Sequence, residues 1–386
     1  MSRLFALSIV VCLLSGVFPQ AAHATPLEDE PLCLPGPYRI DADCLPYGSW
    51  SYLNYLSELG ITLPLQPLAA SSPDAALSTL PFYYARVTTP NAPVFASLEA
   101  AVAGQPVHHA LEPGLVYVTY QDYAEVGGKN YYMIDIGLWM RRGDITPNQA
   151  YSQLRGLEFT ETPDHAFGWV IEFSGSLAAP FQARQAPGIN GPMASQFYNA
   201  YEVVQIYQIR EADGLRWYMV GPDQWLESSQ ARLVLPNVTP PEGVDSDRWI
   251  EINLEQQTIA VYQDGKLTFA TLIATGLPGV WTRPGLFQIY EKHESTLMRG
   301  VFTADRSDYY FLEDVPWTMY FDEARALHGA YWRARFGFEQ SHGCVNLSVA
   351  DSHWLFNWGQ IGDWVYVHDP SGRTPTDDSQ YGEGGA

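Results

Sequence analysis

The chain has 386 residues, with 43 acidic against 21 basic side chains and a formal net charge of −22. A surface that acidic repels phosphate backbones and anionic headgroups, which argues against nucleic acid and anionic lipid as partners. Trp and Tyr number 12 and 24 beside 32 Gly and 28 Pro, a mixture of short strands and tight turns that predicts mainly β structure.

Residues 1–24 read as a secretory signal peptide. Arg3 precedes a mostly apolar run from Leu4 to Phe18, and Ala22-His23-Ala24 supplies a small-x-small site with cleavage after Ala24. That run falls short of the ~20 residues a spanning helix needs, and no later segment approaches it, so no membrane span is expected. An uncleaved anchor is the alternative. The mature protein is expected to be exported, to the periplasm or cell envelope, and to be a monomer. Its remaining cysteines are Cys33, Cys44 and Cys344. Cys33 and Cys44 bracket the Pro/Gly-rich loop "CLPGPYRIDADC", and a disulfide closing it suits an oxidising compartment. Residues 25–78 are thus a disulfide-stapled lead-in with one helix-like patch, "SYLNYLSELG". Cys344 is left without a partner, and an odd thiol in an exported chain needs a reason.

About 360 mature residues exceed one core and predict two or three domains. From 80 to 240 strand-like alternation dominates, as in "GLVYVTYQDYAEV" and "LRWYMVGPDQWLE". Two blocks match at an offset of 86 residues: Tyr131-Tyr132-Met133-Ile134 with Trp139-Met140, and Trp217-Tyr218-Met219-Val220 with Trp225-Leu226. Read as a repeat, they mark two small β-barrel modules at 80–155 and 160–238. The rhythm resembles bacterial Src-homology-3-like barrels, which accompany cell-wall enzymes. Exposed aromatics there could grip sugar or peptide, although filling small cores explains them as well. "LPNVTPPEGVDSD" then supplies a linker at 239–246.

Beyond it Ile250, Ile252 and Leu254 alternate with Glu251, Asn253 and Glu255, so one face of a strand is buried. Asp264-Gly265 predicts a hairpin turn. Near the end "NLSVADSHWLFNWGQIGDWVYVHD" reads as a helix and then a strand, with Ser348 as N-cap, Asp351 three residues on and Gly359 at the stop. A β-rich α+β domain is expected at 247–370 and a flexible acidic tail at 371–386. The fold class is therefore mainly β and multidomain.

Cys344 sits four residues before that helix, in "EQSHGCVNLS". A thiol near its free pKa of ~8.5 is a poor nucleophile unless an imidazole, a helix N-terminus or inward-turned amides assist it. The helix near Ser348 aims its positive end at the loop, and Gly343 permits the tight turn that points the Gly343 and Cys344 amides at one place, an oxyanion hole. His342 adjoins the turn awkwardly, whereas His328, sixteen residues away, can face the thiol from a neighbouring strand. His328 is therefore the candidate base. A buried, inert Cys344 is the plain alternative. A zinc site from His328, His342 and Cys344 lacks any C-x-x-C pair or close H-x-x-x-H; no metal and no cofactor is expected.

"HGAYWRARFGFEQSHGCVNLS" closely resembles the signature of the L,D-transpeptidase (YkuD) catalytic domain, a His followed after a spacer by Ser/Thr-His-Gly-Cys-x-Asn. "TGLPGVWTRPGLFQI" resembles the family's Gly/Pro-rich lead to a Gly-x-Phe strand. The resemblance spans roughly 247–368. It implies Cys344 as nucleophile and His328 as general base, with the His342, Gly343 and Cys344 amides as oxyanion hole and Ser341 and Asn346 fixing the loop. The residue after the base is Gly329, where some members have Ser; its carbonyl can still orient the imidazole. Arg333 and Arg335 are candidates to clamp a substrate carboxylate. The activity implied is acyl transfer on peptidoglycan stem peptides through a thioester, with water in place of an amine giving a carboxypeptidase. A papain-like wall endopeptidase would place Cys before His, and only His353 and His368 follow Cys344. A non-catalytic wall-binding protein is disfavoured by the intact Cys344 and His328.

Overall fold

The computed structural model describes residues 49–148, 151–171 and 180–381. The expected signal peptide and the Cys33–Cys44 pairing lie outside the described residues, as do the last five residues of the tail. Packing separates residues 1–55 from 56–386, and every strand described belongs to the second unit. The structure is mainly β, with several sheets and few helices.

Two sheets enclose the main core after residue 247. One has six strands, in the order Gly285–Gln288, Trp364–His368, Arg248–Asn253, Thr258–Gln263, Lys266–Leu272 and Leu157–Glu158. The expected alternation is present in Arg248–Asn253: Ile250 and Ile252 are fully buried, while Glu251 and Asn253 are half-buried. The hairpin to its neighbour but one turns at Asp264-Gly265, both at positive φ, and pairs Gln263 with Lys266.

The second sheet runs Val345–Leu347, Arg325–Gly329, Tyr310–Asp322, Leu115–Tyr120, Tyr83–Val87, Ile145–Pro147, with Glu291–Gly300 also on Tyr310–Asp322. Between the sheets pack Ile250, Ile252, Ile259, Val261, Phe269, Leu327, Val345, Leu347, Val365 and Val367. Each such side chain contributes about 1.5–3 kcal/mol on burial. Helix Val349–Trp358 closes this core with Leu355; Ser348 Oγ accepts from the Asp351 amide at 3.1 Å, and the Gly359 amide caps Leu355 O. Its Asp351, fully buried, accepts from Thr271 Oγ1 at 2.6 Å and the Gly156 amide at 2.7 Å, tying helix to sheet.

Upstream chain takes part in both sheets. Leu115–Tyr120 lies parallel to Tyr310–Asp322, pairing Leu115 with Tyr310 and Tyr117 with Leu312, and Leu157–Glu158 pairs with Lys266–Leu272. The 86-residue sequence match appears as two three-stranded meanders of equal register. In one, Ala124 faces Tyr131 and Tyr132 faces Met140; in the other, Arg210 faces Trp217 and Tyr218 faces Leu226. Each second hairpin shifts register in the same place, after Met133 and after Met219.

Candidate active site

The parallel pairing of Val345–Leu347 with Arg325–Gly329 sets Leu327 beside Val345 and His328 beside Asn346. Residues paired across strands share a face, and side chains two apart along a strand do as well. Cys344, one residue before Val345, therefore falls on the face that carries His328 and Asn346. All three line one small cavity of about 30 Å³, together with Leu115, Met298, Tyr310, Leu312, Trp332, Arg333, Ser341 and His342. That volume holds roughly one water. Larger cavities of about 440 and 460 Å³ lie elsewhere and include neither Cys344 nor His328.

Cys344 is 4% and His328 2% exposed. Burial pushes the thiol up to about 11, against smaller opposing pulls from the Ala326 amide and the Arg325 guanidinium. Burial takes the imidazole down to about 4, helped by the Arg333 charge and opposed by the Gly329 carbonyl. The resting pair is thus neutral thiol and neutral imidazole. His328 Nδ1 stands 3.4 Å from Gly329 O; with Nδ1 as the donor, Nε2 is the basic nitrogen. A glycine suits position 329 on packing grounds, because a Cβ there would meet Ser352 Oγ at 2.6 Å and Pro316 Cγ at 3.1 Å.

The loop 341–344 is held from several sides. Ser341 Oγ donates to Cys344 O at 2.6 Å and accepts from the Gly343 amide at 3.2 Å. Thr282 Oγ1 donates to Gly343 O at 2.7 Å and accepts from the Gly276 amide at 3.0 Å. Asn346 Nδ2 reaches Ala274 O at 3.3 Å and Cys344 O at 3.4 Å. Gly343 has φ of +118°, and a Cβ there would stand 3.3 Å from Arg325 Nε and 3.4 Å from Trp281 O. In this resting arrangement the Gly343 amide is engaged by Ser341 Oγ.

His342 lines the same cavity, but its ring is taken up by other contacts. It is stacked against Phe302 (centroids 5.0 Å apart, 8° between planes) and Tyr310 (5.4 Å, 21°), with Asp308 Oδ2 at 4.0 Å from Nε2. Both rings come from the flap formed by Glu291–Gly300, the connecting loop and Tyr310–Asp322. Arg333 reaches the cavity wall; Arg335 is not among the residues that line it. Among the described residues no group of three His, Cys, Asp or Glu side chains is arranged to hold a metal ion, and no helix is long and apolar enough to cross a membrane.

Several contributors carried no local sequence signal. Leu115 comes from far upstream, and Phe302, Tyr310, Met298 and Leu312 come with the flap. Arg325, 3% exposed, pairs with Asp322 at 2.9 Å and backs Gly343. Its close spacing to Asp322 in "FDEARALHG" was the one clue available.

Comparison with curated proteins gives no match. Among solved structures, the catalytic domain of the E. faecium L,D-transpeptidase acylated by ertapenem is 30% identical, covering 33% of this chain and 100% of that one, with a TM-score of 0.29. An L,D-transpeptidase from Stackebrandtia nassauensis is 27% identical over 35% of this chain and 60% of its own, TM-score 0.27. L,D-transpeptidase 1 of Mycobacterium tuberculosis is 21% identical over 32% and 62%, TM-score 0.27. The chain thus spans less than two thirds of the last two proteins. The family model for the L,D-transpeptidase catalytic domain (YkuD) matches residues 247–367, the stretch that holds His328, the Ser341–Asn346 block and both strands that carry them. Over that segment the chain belongs to the L,D-transpeptidase catalytic domain family.

Proposed function

We propose that the protein is an exported peptidoglycan L,D-transpeptidase that works through a thioester on Cys344. The observation that carries this reading is the strand register that puts Cys344 and His328 on one face of one cavity. As Cys344 Sγ attacks the carbonyl of the third stem residue, His328 Nε2 takes the thiol proton. The developing oxyanion is met by amides of the 342–344 turn, Gly343 turning from Ser341 Oγ to do so. Collapse breaks the amide bond; the terminal D-amino acid leaves with the proton from the His328 imidazolium. An amine of a neighbouring stem then attacks the thioester, gives its proton through His328 and regenerates the thiol. Ser341, Asn346 and Gly329 position these groups through the bonds described above.

A resting neutral pair fits general-base catalysis, because an uncharged imidazole is ready to accept a proton. A cavity of about 30 Å³ leaves no space for a stem peptide, so the flap moves for substrate to enter.

Tetrapeptide muropeptides incubated with wild type and with Cys344→Ala test the reading. Dimers lacking one D-alanine, made by wild type alone, are expected. Tripeptide monomers would make the protein a carboxypeptidase, and unchanged muropeptides would refute both activities.

A further inference from the structure

Arg333 is a cation at the catalytic cavity with no anion beside it. Its Nε donates to Asn346 Oδ1 at 3.1 Å, Nη1 to Gln340 Oε1 at 3.2 Å and Nη2 to Gln340 O at 2.5 Å. All three acceptors are neutral. A guanidinium has five N–H donors, so one on each terminal nitrogen remains. Among the described residues no carboxylate stands within ion-pair distance of it, in a chain with 43 acidic side chains. Arg248 is paired with Asp363, and Arg325 and Arg283 with Asp322, whereas the buried Arg232 donates, like Arg333, to neutral carbonyls, those of Gly337 and Ala231. Two more donors in residues of the same wall, Tyr310 Oη and Trp332 Nε1, are buried without a hydrogen-bond partner.

Holding a charge away from water without a counter-ion is unfavourable, and burial accordingly lowers the Arg333 guanidinium to about 10. Arg333 differs from Arg232 in lining the cavity that holds Cys344 and His328, where an incoming anion would complete its bonding. We infer that Arg333, held in place by Asn346 and Gln340, is the receptor for the carboxylate of the donor peptide, specifically the terminal carboxylate of the residue that leaves. This rests on the transpeptidase reading and adds to it the side chain of this chain that reads the donor's free terminal carboxylate. Arg333 also acts on the base, since its charge helps hold the His328 imidazole neutral. An anion on Arg333 cancels that influence and makes His328 a better proton acceptor once the donor is bound. Asn346 is then a positioning residue for Arg333 as well as for the loop.

The test compares three donors on the mature enzyme: a tetrapeptide with a free terminal carboxylate, the same peptide as its terminal amide, and one amidated only on the side-chain carboxylate of a diamino diacid at position three. Kinetics are read for wild type, Arg333→Gln and Arg333→Lys, with iodoacetamide labelling of Cys344 as an independent check on the nucleophile. Wild type is expected to favour the free acid over the terminal amide by roughly 10- to 100-fold in kcat/KM. Arg333→Gln loses that preference, mostly through KM, while Arg333→Lys keeps part of it and labelling persists. Equal use of acid and terminal amide by wild type would overturn the proposal, as would a preference that survives in Arg333→Gln. Discrimination only against the position-three amide would move the recognised carboxylate there and overturn the assignment made here. No turnover of any donor with Cys344 still labelled would sink the transpeptidase reading itself, and the proposal with it.

Discussion

Alkylating Cys344 with iodoacetamide across pH 5 to 10 separates a neutral resting pair from a pre-formed thiolate–imidazolium pair. Burial places the thiol at about 11, against a reference of 9.0, and the imidazole at about 4. At pH 7 a thiol of that kind is roughly one part in ten thousand thiolate, about 100-fold less than at the reference value. The labelling rate, followed by intact mass, is therefore expected to climb about tenfold per pH unit up to about pH 10. His328→Asn leaves that profile largely unchanged, because the base contributes in the attack on substrate and not by ionising the resting thiol. A rate that levels off between pH 5 and 8, and a plateau that vanishes in His328→Asn, would refute the neutral pair.

Gly343→Ala forces a Cβ onto a backbone at φ +118°, against Arg325 and Trp281; a loss of about 1–3 kcal/mol in stability and at least tenfold in kcat is expected, by melting and turnover. Equal activity would show that the turn is not needed. Burial raises Glu313 from 4.5 to about 7, opposed by its bonds from Thr119. The folded state thus keeps a proton that the unfolded state releases, and stability falls as pH rises from about 4.5 to 7, by at most about 3 kcal/mol. Glu313→Gln should raise Tm at pH 8 and not at pH 4; equal shifts at both would contradict this. For His328, held below its usual value, the unfolded chain binds a proton that the fold refuses, so stability is lost as pH falls from 6.5 towards 4. His328→Gln should flatten that part of the pH–Tm curve. Finally, Glu112 and Arg306 form an exposed pair at 2.6 Å between upstream chain and flap. Such pairs are worth under about 1 kcal/mol, so Glu112→Arg should speed Cys344 labelling by about fivefold or less, and adding Arg306→Glu should restore the slower rate.

Features set by neighbours along the chain were legible in the sequence. The Ser348 cap, the Asp264-Gly265 turn and the alternation from Ile250 to Leu254 depend on hydrogen bonds and side-chain periods a few residues long, and each is present. The Ser341-His342-Gly343-Cys344 turn was readable for the same reason, including the glycine that its positive φ favours. What was not legible depends on pairing across long separations. Nothing near Leu115 indicates that its strand lies against Tyr310–Leu312, or that its side chain walls the thiol's cavity. The sequence reads His342 as awkwardly placed for the sulfur but gives no sign of the rings stacked on it, because Phe302 and Tyr310 approach only after the hairpin folds back. Arg333 and Arg335 look alike in "YWRARFG"; the path of the backbone through Gln340 and Asn346 distinguishes them.

The central claim is a covalent acyl group on Cys344 formed with loss of the terminal D-amino acid. Mature protein mixed with a stem tetrapeptide, quenched in acid and weighed intact, with the adduct mapped by proteolysis, tests it most directly. The account predicts a mass increase equal to the tripeptide acyl group, located on Cys344, absent in Cys344→Ala and much reduced in His328→Asn. A folded wild-type protein that gains no mass, or gains it at another residue, contradicts the account.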